Sequence, residues 1–164
     1  MELQGKVVSG LELWQWWQQA REMAAQSDIS PDEVDWLLQE IAGLDRLALR
    51  LESFKHRAEI LLSLPLSELD RLWQRRIRDR FPIQYIPGFT PWRHFSLKVS
   101  PAVLIPRPET EYLIDLAIAA VKQSKNRQSP ITDYRLPITH WADLGTGSGA
   151  IALGLTEAFP SAKI

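Results

Sequence analysis

Through residues 1–81 the apolar positions recur at three- and four-residue intervals, the period of helices with one buried face. Ser9-Gly10-Leu11-Glu12 has the form of a capping box, and Leu11, Trp14, Gln15, Gln18 and Met23 mark a helix running to about Gln26. Ser30-Pro31-Asp32-Glu33 repeats the start signal with proline at the first helical position, and Val34, Leu37, Leu38 and Ile41 form one stripe before Gly43 stops it. A third helical stretch is predicted over 45–62, where Leu47, Leu51, Phe54, Ala58, Leu61 and Leu62 keep helical spacing. Ser67 is the expected cap of a fourth helix, with Leu69, Leu72, Trp73 and Ile77 facing inward until Pro82 ends it. Four short helices of this kind predict a small bundle.

After residue 81 the pattern changes. Tyr85-Ile86-Pro87-Gly88 and Phe95-Ser96-Leu97-Lys98-Val99 read as two extended pieces around a loop holding Pro91, a β-hairpin between two domains. In Val103-Leu104-Ile105-Pro106-Arg107-Pro108-Glu109-Thr110-Glu111, prolines on both sides of Arg107 hold the chain extended and fix where its guanidinium points. A helix follows, predicted to bury Leu113, Leu116, Ala117, Ala120 and Val121 on a sheet. Glu109 and Glu111 suit its first turn, where the helix dipole favours acids. Residues 122–139 are polar, broken by Pro130 and Pro137, and read as a surface connection. The expected architecture is α+β in two domains: a helical domain over 1–81, a hairpin and linker over 82–107, and an α/β domain over 108–164.

The densest chemical signal is His140-Trp141-Ala142-Asp143-Leu144-Gly145-Thr146-Gly147-Ser148-Gly149-Ala150, a strand, a glycine-rich turn and a helix start. Alternating glycines let backbone approach a ligand without a Cβ in the way, and the helix they open begins with unpartnered amides. Gly145-x-Gly147-x-x-Ala150 also fits the dinucleotide fingerprint, so spacing alone leaves a pyrophosphate-bearing cofactor and a methyl donor both open. Asp143 bears on the choice: a carboxylate at the mouth of the loop repels phosphate and attracts a cation. S-adenosylmethionine carries an ammonium and a sulfonium and no phosphate. A tight turn with no ligand is the remaining alternative.

Composition narrows the rest. A net charge of −1 gives no global electrostatic case for nucleic acid or an anionic membrane as partner. There is no cysteine, which removes disulfides, thiolate nucleophiles and thiolate metal sites and suits a reducing, cytoplasmic setting. No stretch is long and apolar enough to span a bilayer. His56 stands alone among Lys55, Arg57 and Glu59 without an orienting partner and is read as a solvated residue. Trp14, Trp16 and Trp17 cannot all face one core from a single helix. Arg71, Arg75, Arg76, Arg78 and Arg80 form a basic run, read as a solvated face balanced by nearby acids, with a patch for RNA or an acidic protein as the alternative.

Taken together, Pro82-Ile83-Gln84-Tyr85-Ile86-Pro87-Gly88, the Ile105-Pro106-Arg107-Pro108-Glu109-Thr110-Glu111 segment and the Asp143 to Gly149 loop resemble the protein-(glutamine-N5) methyltransferases that modify peptide chain release factors, the PrmC/HemK family. The departures are small: Trp92 and Leu97 stand where phenylalanine is usual, and the 122–139 connection is long. The resemblance implies a class I, Rossmann-like methyltransferase domain beginning at 108–164, truncated in this sequence, and an N-terminal domain that helps hold the protein substrate. It implies S-adenosylmethionine as cofactor and, as reaction, methyl transfer to the side-chain amide of the glutamine in the Gly-Gly-Gln motif of release factors. Asp143, Gly145, Thr146, Gly147, Ser148 and Gly149 are the expected cofactor contacts, with Arg107 and Glu109 near the same pocket. No catalytic residue is assigned, because the family's amide-binding Asn-Pro-Pro-Tyr motif does not occur here, and no metal site is expected. The chain by itself is therefore expected to be an inactive N-terminal portion. Two alternatives stand beside this reading: a class I enzyme acting on another protein or nucleic-acid amine, and a non-enzymatic module that binds a release factor.

Overall fold

In the computed structural model, which describes residues 6–126 and 139–164, Ser9 caps helix α1 (Gly10–Gln26) by accepting the Glu12 amide at 3.1 Å. The chain divides into two compact units, Met1–Gly88 and Phe89–Ile164. Helix and small sheets are mixed in it.

The first unit is built on α1. Its buried stripe is Leu13, Trp16, Trp17, Ala20 and Ala24, one step round from the expected Leu11, Gln15 and Gln18, and Leu11 is exposed. The aromatic rings decide that rotation, because their area dominates what a helix gains by burial. Each of the three tryptophans spends its indole N–H on a carboxylate from a different part of the unit. Trp14 donates to Glu52 at 2.7 Å, Trp16 to Asp70 at 3.2 Å and Trp17 to Asp35 at 2.7 Å. Trp16 and Trp17 are buried and Trp14 is half-buried, so one helix carries all three without leaving a polar tip unsatisfied.

Helix α2 (Asp32–Ala42) buries Val34, Leu37, Leu38 and Ile41 as predicted and ends on left-handed Gly43. The third helix is much shorter than its spacing suggested. Helix α3 (Arg46–Arg50), capped by Asp45, stops where Glu52 turns left-handed at φ 53°, and a 3-10 turn (Ser53–His56) and a short strand β2 (Ile60–Leu61) follow. Strand β2 pairs antiparallel with β1 (Val7–Val8) ahead of α1. Tertiary contact overrides the periodicity here: Phe54 packs edge-on to Trp17 with centroids 6.0 Å apart, and Glu52 is held by Trp14. Leu47, Leu51, Ala58 and Leu61, expected inside, are therefore exposed, while Phe54 and Leu62 are buried. Helix α4 (Leu66–Asp79) starts one residue ahead of the expected Ser67 cap, with the Pro65 carbonyl taking the first amides, and buries Leu69 and Trp73.

The 85–88 segment is no strand. Ile83 and Ile86 are buried in the first unit's core, and Ile83–Tyr85 forms a 3-10 turn because the side chains fill that core on a helical rather than an alternating spacing. The hairpin comes later, as β3 (Phe89–Trp92) and β4 (Phe95–Lys98), joined by Arg93 and His94 with Arg93 left-handed at φ 52°.

In the second unit Trp92 and Leu97 of the hairpin are buried with Ile114, Ala150 and Leu155. Helix α5 (Tyr112–Asn126) buries Ile114, with Ala117 and Ile118 packed against the same core, and leaves Leu113 and Leu116 exposed, so its inward stripe is displaced from the predicted one. Helix α6 (Ala150–Ala158) crosses α5 at Gly154, where an added Cβ would stand 2.8 Å from the Ile114 side chain. Of the predicted 122–139 connection, the first residues continue α5, and 127–138 lie outside the described residues.

Candidate functional site

The strand expected to lead into the glycine loop is reduced to one parallel rung. Thr139 and His140 run beside Lys163, with the Trp141 amide donating to the Lys163 carbonyl and the Lys163 amide to the Thr139 carbonyl, both at 2.8 Å. Parallel strands are stabilised by burial on both faces, and His140 and Lys163 are both exposed. The rung, α6 and the loop between them still make the smallest strand-helix-strand crossover. Trp141 stacks on Phe159 at 5.0 Å, packing the segment ahead of the loop against the C-cap of α6.

Within the loop, Gly145, Gly147 and Gly149 all adopt positive φ, at 77°, 56° and 81°. At Gly145 and Gly149 an added Cβ would meet nothing within 4 Å, so their backbone faces open space. What selects glycine there is the dihedral angle rather than crowding within this chain. Gly149 is the N-cap of α6 and, lacking a side chain, cannot cap it.

Asp143 takes over that task from outside the helix. Its Oδ2 accepts the Thr146 hydroxyl at 2.6 Å and the Ala152 amide, in the first turn of α6, at 3.2 Å. One carboxylate oxygen thus pins the loop to the helix across nine residues. The other, Oδ1, accepts no hydrogen bond among the described residues, and Asp143 is half-exposed. The site therefore offers a fixed anionic oxygen beside bare backbone, an arrangement that takes a cation and small polar groups and disfavours a polyphosphate. Ser148 is half-buried in the same loop, and Thr146 is exposed apart from its bond to Asp143.

Arg107 and Glu109 are not joined to this loop by any hydrogen bond or ion pair among the described residues. Arg107 is extended at φ −79°, ψ 146°, as its flanking prolines require, and both side chains are exposed where a 3-10 turn (Pro108–Glu111) leads into α5. Glu111, read from sequence as a dipole partner, has a more specific task. Its Oε1 accepts the Arg93 amide at 2.8 Å, while the Arg93 guanidinium donates to the Glu111 carbonyl at 3.2 Å and to Asp115 at 3.3 Å. His94 reaches Glu157 of α6 at 3.0 Å. These two turn residues, which the sequence reading passed over, tie the hairpin to both helices. An Arg-His pair in a hairpin turn facing acid-bearing helices was the available signal.

Elsewhere the basic run of α4 is largely neutralised. Arg71 is bidentate to Glu68, Arg76 is bidentate to Glu33 at 2.8 Å, and Arg75 lies over the Phe81 ring and near Asp79. His56 is exposed in its 3-10 turn. Among the described residues no group of acids and histidines could hold a metal, and no helix is long and apolar enough to cross a membrane.

No family model matches the chain. It is similar to the curated release factor glutamine methyltransferase of Synechocystis sp., 47% identical over 157 residues, which cover 96% of this chain and 50% of that protein. It is also similar to the proteins of the same name from Thermosynechococcus vestitus, at 40% identity over 96% of this chain, and Gloeobacter violaceus, at 38% over 91%. By sequence the chain is a relative of the release factor glutamine methyltransferases. It spans about half the length of these curated relatives.

Proposed function

We propose that the loop from Asp143 to Gly149 is the donor-binding element of an S-adenosylmethionine-dependent methyltransferase whose substrate is the side-chain amide of a glutamine in a peptide chain release factor. The single observation that carries the choice of cofactor is the divided role of Asp143, one oxygen tied to Thr146 and Ala152 and the other free beside open glycine backbone. A free carboxylate oxygen suits the donor's ammonium, and the residues present fit that group. The nature of the substrate rests on the names of the relatives, which carry the same kind of sequence over this span.

When bound, the donor supplies an electrophilic methyl on a sulfonium. The chain's own residues hold the amino-acid end of that molecule: Asp143 by charge, and Gly145 to Gly149 by backbone polar groups left uncovered. An amide nitrogen is a weak nucleophile because its lone pair is delocalised, so transfer depends on orienting the amide and stabilising developing charge. No residue here is assigned that task. The surrounding domain is read as the Rossmann-like class, with the rung at His140 and Lys163 as its first parallel contact, and the setting as the cytoplasm, where release factors act.

Titration calorimetry of the purified chain tests the cofactor. S-adenosylmethionine is expected to bind, NADH is not, and Asp143→Asn should weaken donor binding by about 1.5–3 kcal/mol, the usual range for a hydrogen bond to a charged group. NADH binding at the loop, or donor binding indifferent to Asp143→Asn, would overturn the reading.

A further inference from the structure

A helix in need of a cap competes with the donor for Asp143. Gly149 brings no side chain to the start of α6, and its own amide donates to the Thr146 carbonyl at 2.9 Å. The amides of Ala150 and Ile151 find no acceptor among the described residues, and that of Ala152 is served by Asp143 Oδ2 at 3.2 Å. Open amides at a helix start attract a carboxylate. Left to itself, the Asp143 side chain gains most by swinging onto them with both oxygens, which leaves no anionic oxygen for a cationic ligand.

One contact opposes that collapse. The Thr146 hydroxyl donates to the same Oδ2 at 2.6 Å, within the short range of a charge-assisted O–H···O⁻ bond and closer than the Ala152 amide. Thr146 is itself held in place, by its carbonyl's bond to the Gly149 amide across the turn and by a β-branched side chain with few rotamers open to it. Thr156, inside α6, spends its hydroxyl on the Ala152 carbonyl at 2.8 Å, the local bond of a threonine within a helix. The exposed Thr146 reaches instead for the one acid of the loop.

We infer that Thr146 is a positioning residue for donor binding: its hydroxyl holds the Asp143 carboxylate short of the Ala150 and Ile151 amides, so that Oδ1 stays available to the donor's cation. The inference rests on the donor reading given above and adds a division of labour to it, in which Asp143 supplies the charge and Thr146 decides where the charge stands. A threonine that only braced the loop would act on loop and helix alike. The two roles predict opposite signs at α6, because Asp143 released from Thr146 caps the helix better, whereas loss of a bracing bond loosens it.

The test pairs calorimetry of S-adenosylmethionine binding with hydrogen exchange of the α6 amides in the ligand-free full chain. Thr146→Val keeps the shape and removes the hydroxyl; it should weaken donor binding about five- to tenfold, with α6 protection equal to wild type or above it. Thr146→Ser, which keeps the hydroxyl, should bind within about threefold of wild type. In an Asp143→Ala background, Thr146→Val should change binding by less than about twofold, because no carboxylate is left to place. Wild-type affinity in Thr146→Val, failure of Thr146→Ser to recover binding, a full additional loss in the Asp143→Ala background, or α6 protection that falls in step with affinity would each overturn the positioning role while leaving Asp143 as the donor's anion. No donor binding to wild type, or binding indifferent to Asp143→Asn, would overturn the donor reading and this inference with it.

Discussion

Removing the Asp35 carboxylate deletes an indole hydrogen bond and an ion pair together, because both converge on it, and comparison with Arg21→Met separates their values. Trp17 Nε1 donates to Asp35 at 2.7 Å, and the Arg21 guanidinium bonds the same carboxylate at 2.7 and 2.8 Å while lying 4.9 Å over the Trp17 ring. Trp17 is 8% exposed, so in Asp35→Ala its N–H loses its partner where most of the ring is out of water, at a cost of about 1–3 kcal/mol. The Arg21 and Asp35 side chains are 33% and 29% exposed, which limits their Coulomb attraction to about 0–1 kcal/mol. Asp35 also lies in the first turn of α2, where an acid contributes about 0.3–1 kcal/mol through the helix dipole. The sum for Asp35→Ala is about 1–5 kcal/mol. Asp32→Ala, in the same turn without the indole bond, isolates the dipole contribution. Arg21→Met removes the pair and the ring contact and should cost about 0.5–1.5 kcal/mol. Urea unfolding followed by far-ultraviolet circular dichroism ranks the three, provided the denaturant slope is unchanged. If Arg21→Met costs as much as Asp35→Ala, or Asp35→Ala no more than Asp32→Ala, the indole hydrogen bond is not what anchors α1 to α2.

Other expectations follow from single contacts. Gly154→Ala places a methyl against Ile114, itself 2% exposed, and should destabilise the second unit by about 1–3 kcal/mol; adding Ile114→Val, which removes the crowded terminal carbon, should restore part of that, read by hydrogen exchange of the α5 and α6 amides. Glu68 has its carboxyl held below the ordinary glutamate range, first by its hydrogen bond to Arg71, which outweighs the opposing effect of burial, with that residue's charge the smallest contribution. A lowered folded-state pKa means stability present at neutral pH and lost as pH falls through that value. The small melting-temperature gap between wild type and Glu68→Gln should therefore close on acidification below the ordinary glutamate range, and a gap constant with pH would refute the assignment.

Much of this protein was legible locally. Ser9 capped its helix, Gly43 stopped α2, the prolines around Arg107 held it extended, and the three loop glycines opened a helix as their spacing announced. These features depend on dihedral preference and on hydrogen bonds within a few residues, which the order of residues fixes. Other features were illegible. Nothing between residues 45 and 62 indicated that the helix would break at Glu52, because the break is set by Trp14 and Trp17 more than thirty residues earlier. The hairpin slid to residues 89–98 for the same reason, since Ile83 and Ile86 were drawn into the first unit's core.

At the candidate site the division is similar. Sequence alone determined that an acid precedes a glycine turn and a helix. Only the folded chain assigned one Asp143 oxygen to Thr146 and Ala152 and left the other free, because that choice depends on where α6 brings its first-turn amide. Only the folded chain, too, turned Leu47 and Leu51 outward beside Arg46 and Arg50. Periodicity ranks residues by their neighbours along one helix, whereas burial is settled by competition among distant side chains for the same interior volume.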